Sequence, residues 1–175
     1  YTVDALEVDR FVHDHPDMLI VVAAGNAGTF TPTLDGYPRT SPGNVEWESI
    51  GSPATTKNGL VVGASRGNRK RGGFAKHTYG ELWPADFPVN NTPTTSIARQ
   101  TVSGDAENLA GFSSRGLTDD ERIKPDLVAP GTDVLSTRSS LAPNSSYWGV
   151  RRADKNRYAY MGGTSMATPH VSGCA

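Results

Sequence analysis

The chain has a single cysteine, Cys174, among 175 residues, so no internal disulfide staples it. It has no run of about 18 apolar residues, the length that a membrane-spanning helix needs. Its opening, Tyr-Thr-Val-Asp, lacks the charged-then-apolar pattern of a signal peptide. Neither sign of charge is in excess: 17 Lys and Arg stand against 18 Asp and Glu, for a net charge of −1. That balance gives no support for a nucleic-acid or membrane partner. Internal repeats and domain linkers are absent as well. What is present, 36% hydrophobic residues with 19 Gly and 12 Pro, suits one loop-rich globular domain over residues 1–175.

Ala5, Val8, Phe11 and Val12 fall at i, i+3, i+6 and i+7 and form the apolar stripe of a helix, with Asp4, Glu7, Asp9 and Arg10 on its other face. The string H-D-H-P at 13–16 ends it, because the residue before a proline avoids the helical region. His13 and His15 could bind a metal, but no third ligand follows at useful spacing, and a solvated helix end is the simpler reading. The run L-I-V-V-A-A at 19–24 predicts a strand buried on both faces of a parallel sheet. L-V-V-G-A at 60–64 is a second buried strand, and L-V-A-P-G at 127–131 a short third one, continued by D-V-L-S at 133–136. Helix, loop and buried strand in succession predict an α/β fold.

Two long stretches lack periodicity. Residues 27–59 carry Tyr37, Trp47 and Ile50 as scattered anchors; they either line a substrate pocket or form a plain surface insertion. Residues 66–108 hold turn signals such as Asn90-Asn91 and Thr92-Pro93, and His77 with no motif around it. The run R-G-N-R-K-R at 66–71 reads as a solvated basic loop.

The chemistry concentrates in M-G-G-T-S-M-A-T-P-H-V-S-G at 161–173. Two glycines permit a sharp turn. Thr164 and Ser165 are suited to a helix cap or first turn, with Pro169 expected inside that first turn, where its missing N–H costs little. A serine hydroxyl at a helix N-terminus sits beside unpaired N–H groups and the positive end of the dipole, which favour a developing oxyanion. Gly-Thr-Ser alone is also an ordinary capped turn. Asn26 ends the first strand, at the sheet edge where ligands of open α/β folds bind. A neutral amide there can donate to an oxyanion, or it can simply occupy a turn. Cys174 reads as a small buried residue of the helix after Ser165.

The 161–173 string resembles the nucleophile segment of the subtilisin-like serine proteases, G-T-S-M-A-x-P-H-V-x-G, at every fixed position. V-V-A-A-G-N at 21–26, I-G-S-P-A-T-T-K-N-G-L-V-V-G-A-S at 50–65, G-F-S-S-R-G at 111–116 and I-K-P-D-L-V-A-P-G at 123–131 are similar to the same family, in its order. The strings R-I-K-P-D and S-S-L-A-P-N-S-S-Y-W, with the long 66–108 stretch, look closest to the oxidatively stable alkaline subtilases of Bacillus and relatives. Loops 27–49 and 66–108 match no family string.

The resemblance implies a subtilisin-like three-layer α/β fold with a mostly parallel sheet, of which this chain is the C-terminal part of one catalytic domain. It implies a serine endopeptidase acting on proteins or peptides, with Ser165 as nucleophile and the Asn26 side chain as oxyanion donor. Ala24 and Gly25 would lie beside the substrate's P1 side chain and Thr164 close to the oxyanion. No cofactor is required for catalysis, no catalytic metal is expected, and a structural calcium is an implication of resemblance, since no acidic cluster here has convincing ligand spacing. Secretion, an N-terminal propeptide and a monomeric state are implied in the same way.

A serine needs a base, and the base needs an orienting group. The family carries them in D-T/S-G and H-G-T strings, neither of which occurs here. His170 is five residues past Ser165 on the same helix and is read as structural. The triad Asp and His are therefore expected upstream of Tyr1, and these 175 residues alone are expected to be inactive. An α/β-hydrolase esterase would need G-x-S-x-G with Asp and His after the serine, and only ten residues follow it. The non-enzyme alternative is a degenerate subtilase domain kept as an interaction module. Met166 adjoins the nucleophile, and its sulfoxide would place a polar group there. Peroxide treatment of the parent protein should lower its activity; unchanged activity with Met166 shown by mass spectrometry to be oxidised would refute this.

Overall fold

The computed structural model describes residues 1–29, 45–89 and 96–175, together with the backbone of 33–34 and 37–38. Helix α1 (Val3–Asp14) leads to strand β1 (Val21–Ala23). A two-stranded antiparallel hairpin, β2 (Thr33–Leu34) with β3 (Tyr37–Pro38), lies in the long loop before β4 (Leu60–Ser65). The short helix α2 (Tyr79–Leu82) belongs to the second long stretch. Strands β5 (Leu127–Pro130), β6 (Val134–Thr137), β7 (Gly149–Arg151) and β8 (Tyr158–Met161) follow, and α3 (Thr164–Ser172) comes last. The side chain of Tyr37 and the turn signals at 90–93 lie outside the described residues.

The principal sheet is parallel, in the order β1-β4-β5, as the apolar runs predict. β4 is its centre and alternates its faces with the two-residue period of a strand. Val62 and Ala64 pack with Ala129, Ala110 and Ala167 of α3, whereas Val61 packs with Ile50, Ala54 and Ala24. Small residues at these contacts let α3 lie close against the sheet. β1 is only half-buried where burial on both faces was expected, because it is an edge strand among the described residues. The second departure is at 133–136. This segment does not extend the parallel sheet but enters a separate antiparallel one, β6-β8-β7, through Asp133, whose φ of 48° turns the chain.

Polar residues hold much of this together. Asp9, expected on the solvated face of α1, is buried. Its carboxylate accepts hydrogen bonds from the hydroxyls of Thr56 and Tyr1 and from the N–H groups of Lys57 (2.7 Å) and Asn58 (2.8 Å), which ties α1 to the loop entering β4. Asp133 is buried too, and accepts from Phe74 N–H and the Ser103 hydroxyl, both at 2.7 Å. Burial pushes its carboxyl above the usual range, against the pull of these bonds. Arg66, expected in a solvated basic loop, is 4% exposed and donates to Thr101 (3.0 Å), with Asp105 at 3.7 Å. Trp47, an expected anchor, is exposed, whereas Ile50 is buried. Asp133 and Arg66 thus pin the 66–108 stretch to the sheet. Above them, Tyr79, Phe87 and Val102 form an aromatic-rich cluster; burial pushes the Tyr79 phenol up to about 12.

Asp9→Ala strips two backbone N–H groups of their acceptor and should cost about 2 kcal/mol, read by urea unfolding of the full-length protein. Burial raises the Asp9 pKa, but the hydrogen bonds from Thr56, Tyr1, Asn58 and Lys57 outweigh it and the net shift is downward. Its stabilisation is therefore complete above the unfolded carboxyl's pKa of about 3.9 and is lost as pH falls through the lower folded value. The gap in stability between wild type and Asp9→Ala should close over that acid range.

Candidate active site

The turn after β1 is held from three sides. Ala24 N–H continues the ladder to the Val62 carbonyl at 2.9 Å. Gly25 then takes a φ of 107°, which strongly favours glycine, and its carbonyl accepts from Ser114 N–H at 2.9 Å. The buried Ser114 hydroxyl accepts from Ala27 N–H at 3.0 Å, and the Ser113 hydroxyl from Ala64 N–H at 3.0 Å. The string G-F-S-S-R-G therefore braces the turn that presents Asn26.

The other half of the site is the start of α3. Gly163 occupies the cap position with a φ of 144° and supplies no side chain to the helix, and Thr164 and Ser165 fall in the first turn, one of the two placements expected. The cap comes from across the chain. Asn26 Oδ1 accepts from Thr164 N–H at 2.9 Å and from the Thr164 hydroxyl at 3.2 Å. Thr164 Oγ1 accepts from Gly25 N–H at 3.2 Å. The Gly163 N–H in turn donates to the Gly131 carbonyl at 2.8 Å, so the tips of β1 and β5 both grip this turn. With Oδ1 engaged, the Asn26 amide presents its Nδ2 donors outward, and they have no partner among the described residues.

Ser165 is the second residue of α3 and is exposed; its hydroxyl has no hydrogen-bond partner among the described residues. It borders a cavity of about 230 Å³ that it shares with Met161, Met166 and Pro169. Asn26 and Gly163 border a second cavity of similar size. Thr164 and Ala24 are buried, and Gly25 is half-buried. The five residues singled out in the sequence thus fall on two adjoining turns: Ala24, Gly25 and Asn26 on one, Thr164 and Ser165 on the other.

Pro169 is the sixth residue of α3, in its second turn rather than its first, so the Ser165 carbonyl lacks the donor that would normally follow four residues on. Cys174 is exposed, contrary to the buried position expected, because α3 ends at Ser172 before reaching it. His170 is exposed and faces a different cavity, with Arg69, Lys70 and Arg71. His77 is exposed near Glu81, with Nδ1 3.7 Å from Oε2. Among the described residues no group of three His, Cys, Asp or Glu could hold a metal ion, and no helix is long and apolar enough to cross a membrane. The bracing serines were legible in the sequence only as part of a string; nothing in their spacing announced the hydrogen bonds they make.

The profile of the subtilase family, Peptidase S8, matches residues 2–175. The chain belongs to the subtilase family. It is 30% identical over 208 aligned residues to the serine protease/ABC transporter B family protein tagD of Dictyostelium discoideum, covering 97% of this chain and 10% of that protein. Serine protease AprX of Bacillus subtilis is 43% identical over 77 residues, 43% of this chain and 17% of AprX. The solved CspB protease of Clostridium perfringens shares 27% identity at a TM-score of 0.36, over 73% of this chain and 16% of that one. This subtilase chain thus spans a small part of the length of the relatives it matches.

Gly163→Ala would put a Cβ on a φ of 144° and strain the cap by about 1–3 kcal/mol. Thermal unfolding of the full-length protein should shift down by several degrees, and its activity should fall more steeply than its stability, since the Thr164 to Asn26 bond is displaced.

Proposed function

We propose that this chain supplies the nucleophile and the oxyanion donor of a subtilase serine endopeptidase. The Ser165 hydroxyl attacks the carbonyl carbon of a peptide bond. Its proton passes to a histidine, oriented by an aspartate, that the family resemblance puts N-terminal to Tyr1. The tetrahedral oxyanion receives a hydrogen bond from Asn26 Nδ2 and, by analogy, from the Ser165 N–H at the positive end of α3. The proton then goes to the leaving amine, and water hydrolyses the acyl-serine ester.

The observation that supports this reading best is the division of labour in the Asn26 amide. Its Oδ1 is fixed by Thr164, and its Nδ2 is left free beside the turn that carries Ser165. A donor that is already oriented costs no reorganisation as charge develops. Ala24 and Gly25, on the same turn, would contact the substrate residue before the scissile bond. With the family come protein or peptide substrates, a propeptide and secretion.

The test uses the full-length protein with a fluorophosphonate probe and a peptide substrate. Labelling and hydrolysis should vanish in Ser165→Ala. Asn26→Leu should lower kcat by about 10² to 10³ with little change in KM, the scale of losing one oxyanion donor. Absence of labelling in folded, mature wild type would refute the protease and favour an interaction module.

A further inference from the structure

The cavity beside Asn26 and Gly163, about 230 Å³, is walled by aromatic rings. Phe112 and Trp148 form part of it, and Trp83 and Phe87 come from the 66–108 stretch. The rings are fixed by one another: Trp148 stacks on Phe74 at 5.2 Å, Trp83 lies 5.7 Å from Trp148, and Phe87 lies 4.9 Å from the buried Tyr79. The Trp148 indole also covers Gly162 so closely that a Cβ there would come within 1.9 Å of it.

Among the described residues one charged side chain borders this cavity. Asp86 is exposed and sits in a tight turn, in which the N–H groups of Asp86 (3.2 Å) and Phe87 (2.8 Å) both donate to the Trp83 carbonyl. Among the described residues its carboxylate has no ion pair, and none of the described Lys, Arg or His residues lines the cavity. Aromatic faces carry negative quadrupole potential, and a free carboxylate adds to it. Such a site favours a guest with an apolar stem and a cationic head. An aliphatic guest gains nothing from Asp86, and an acidic one is repelled.

We infer that this cavity takes the Lys or Arg side chain of a substrate residue adjoining the scissile bond, with the rings around its stem and Asp86 at its charge. The position follows from the walls: Asn26 is the proposed oxyanion donor, and Gly163 caps the helix that carries Ser165. The inference rests on the protease reading and adds a substrate class to it. Trp83, Asp86 and Phe87 lie in the 66–108 stretch, outside the strings quoted for the family, so this preference rests on residues particular to this chain.

The test is cleavage-site profiling of the full-length protein on a peptide library by mass spectrometry, with fluorophosphonate labelling of Ser165 in parallel. Wild type should enrich Lys and Arg at one position flanking the cleaved bond. Asp86→Asn should lower kcat/KM for a Lys peptide about tenfold relative to its norleucine counterpart, and Asp86→Lys should shift the preference toward Glu. Asp86 is exposed, so both variants should fold. A labelled, cleaving enzyme without basic enrichment beside the bond, or with enrichment that Asp86→Asn leaves intact, overturns the cavity's assignment and leaves the protease reading standing. Folded wild type that is neither labelled nor cleaving overturns both.

Discussion

The hydrogen bond from Thr164 N–H to Asn26 Oδ1 joins positions 138 residues apart, and the site is organised by it. It satisfies a donor that every helix start leaves open, so the helix gains a cap from another element. The same bond fixes the plane of the Asn26 amide and therefore the direction of its Nδ2. Other features serve it: the left-handed Gly25 that turns β1 toward the helix, the Ser114 brace beneath that turn, and the Gly131 carbonyl that holds Gly163. One side chain caps the helix through its oxygen and keeps its nitrogen donors free.

Burial of charge is the other recurring device. Asp133 turns the chain from the parallel sheet into the antiparallel one and, through Phe74 and Ser103, anchors the 66–108 stretch. Phe74 carries the stacked Trp148, so the position of an aromatic wall near Asn26 traces back to a carboxylate under the 66–108 stretch. Arg66 does similar work from the opposite charge, beside Thr101 and Asp105.

The apolar runs at 19–24 and 60–64 and the periodicity of 5–12 made β1, β4 and α1 legible as elements, although of the α1 stripe only Ala5 is fully buried and Phe11 is exposed. Asn26 and Ser165 were singled out by their strings, and the structure sets them on neighbouring segments joined through Thr164. Asp9, Asp133 and Arg66 were not legible as interior residues. A polar side chain goes inside only when distant partners converge on it, and single-sequence spacing carries no record of convergence. The same limit hid the antiparallel sheet: V-L-S-T at 134–137 pairs with Y-A-Y-M at 158–161, and neither string names its partner. Pro169 was misplaced by one turn because the helix opens at Thr164, under a cap that its own sequence does not contain.

The Trp148 indole over Gly162 links two residues whose freedom to vary would otherwise be separate. Any side chain at 162 must displace the ring, and a displaced ring uncovers Phe74 and opens the aromatic wall. Position 162 can accept alanine or serine only together with a smaller residue at 148, and the paired change would merge the cavity with the space the indole now fills. Enlarging the aromatic-walled cavity of this subtilase chain therefore takes both positions, changed in a single step.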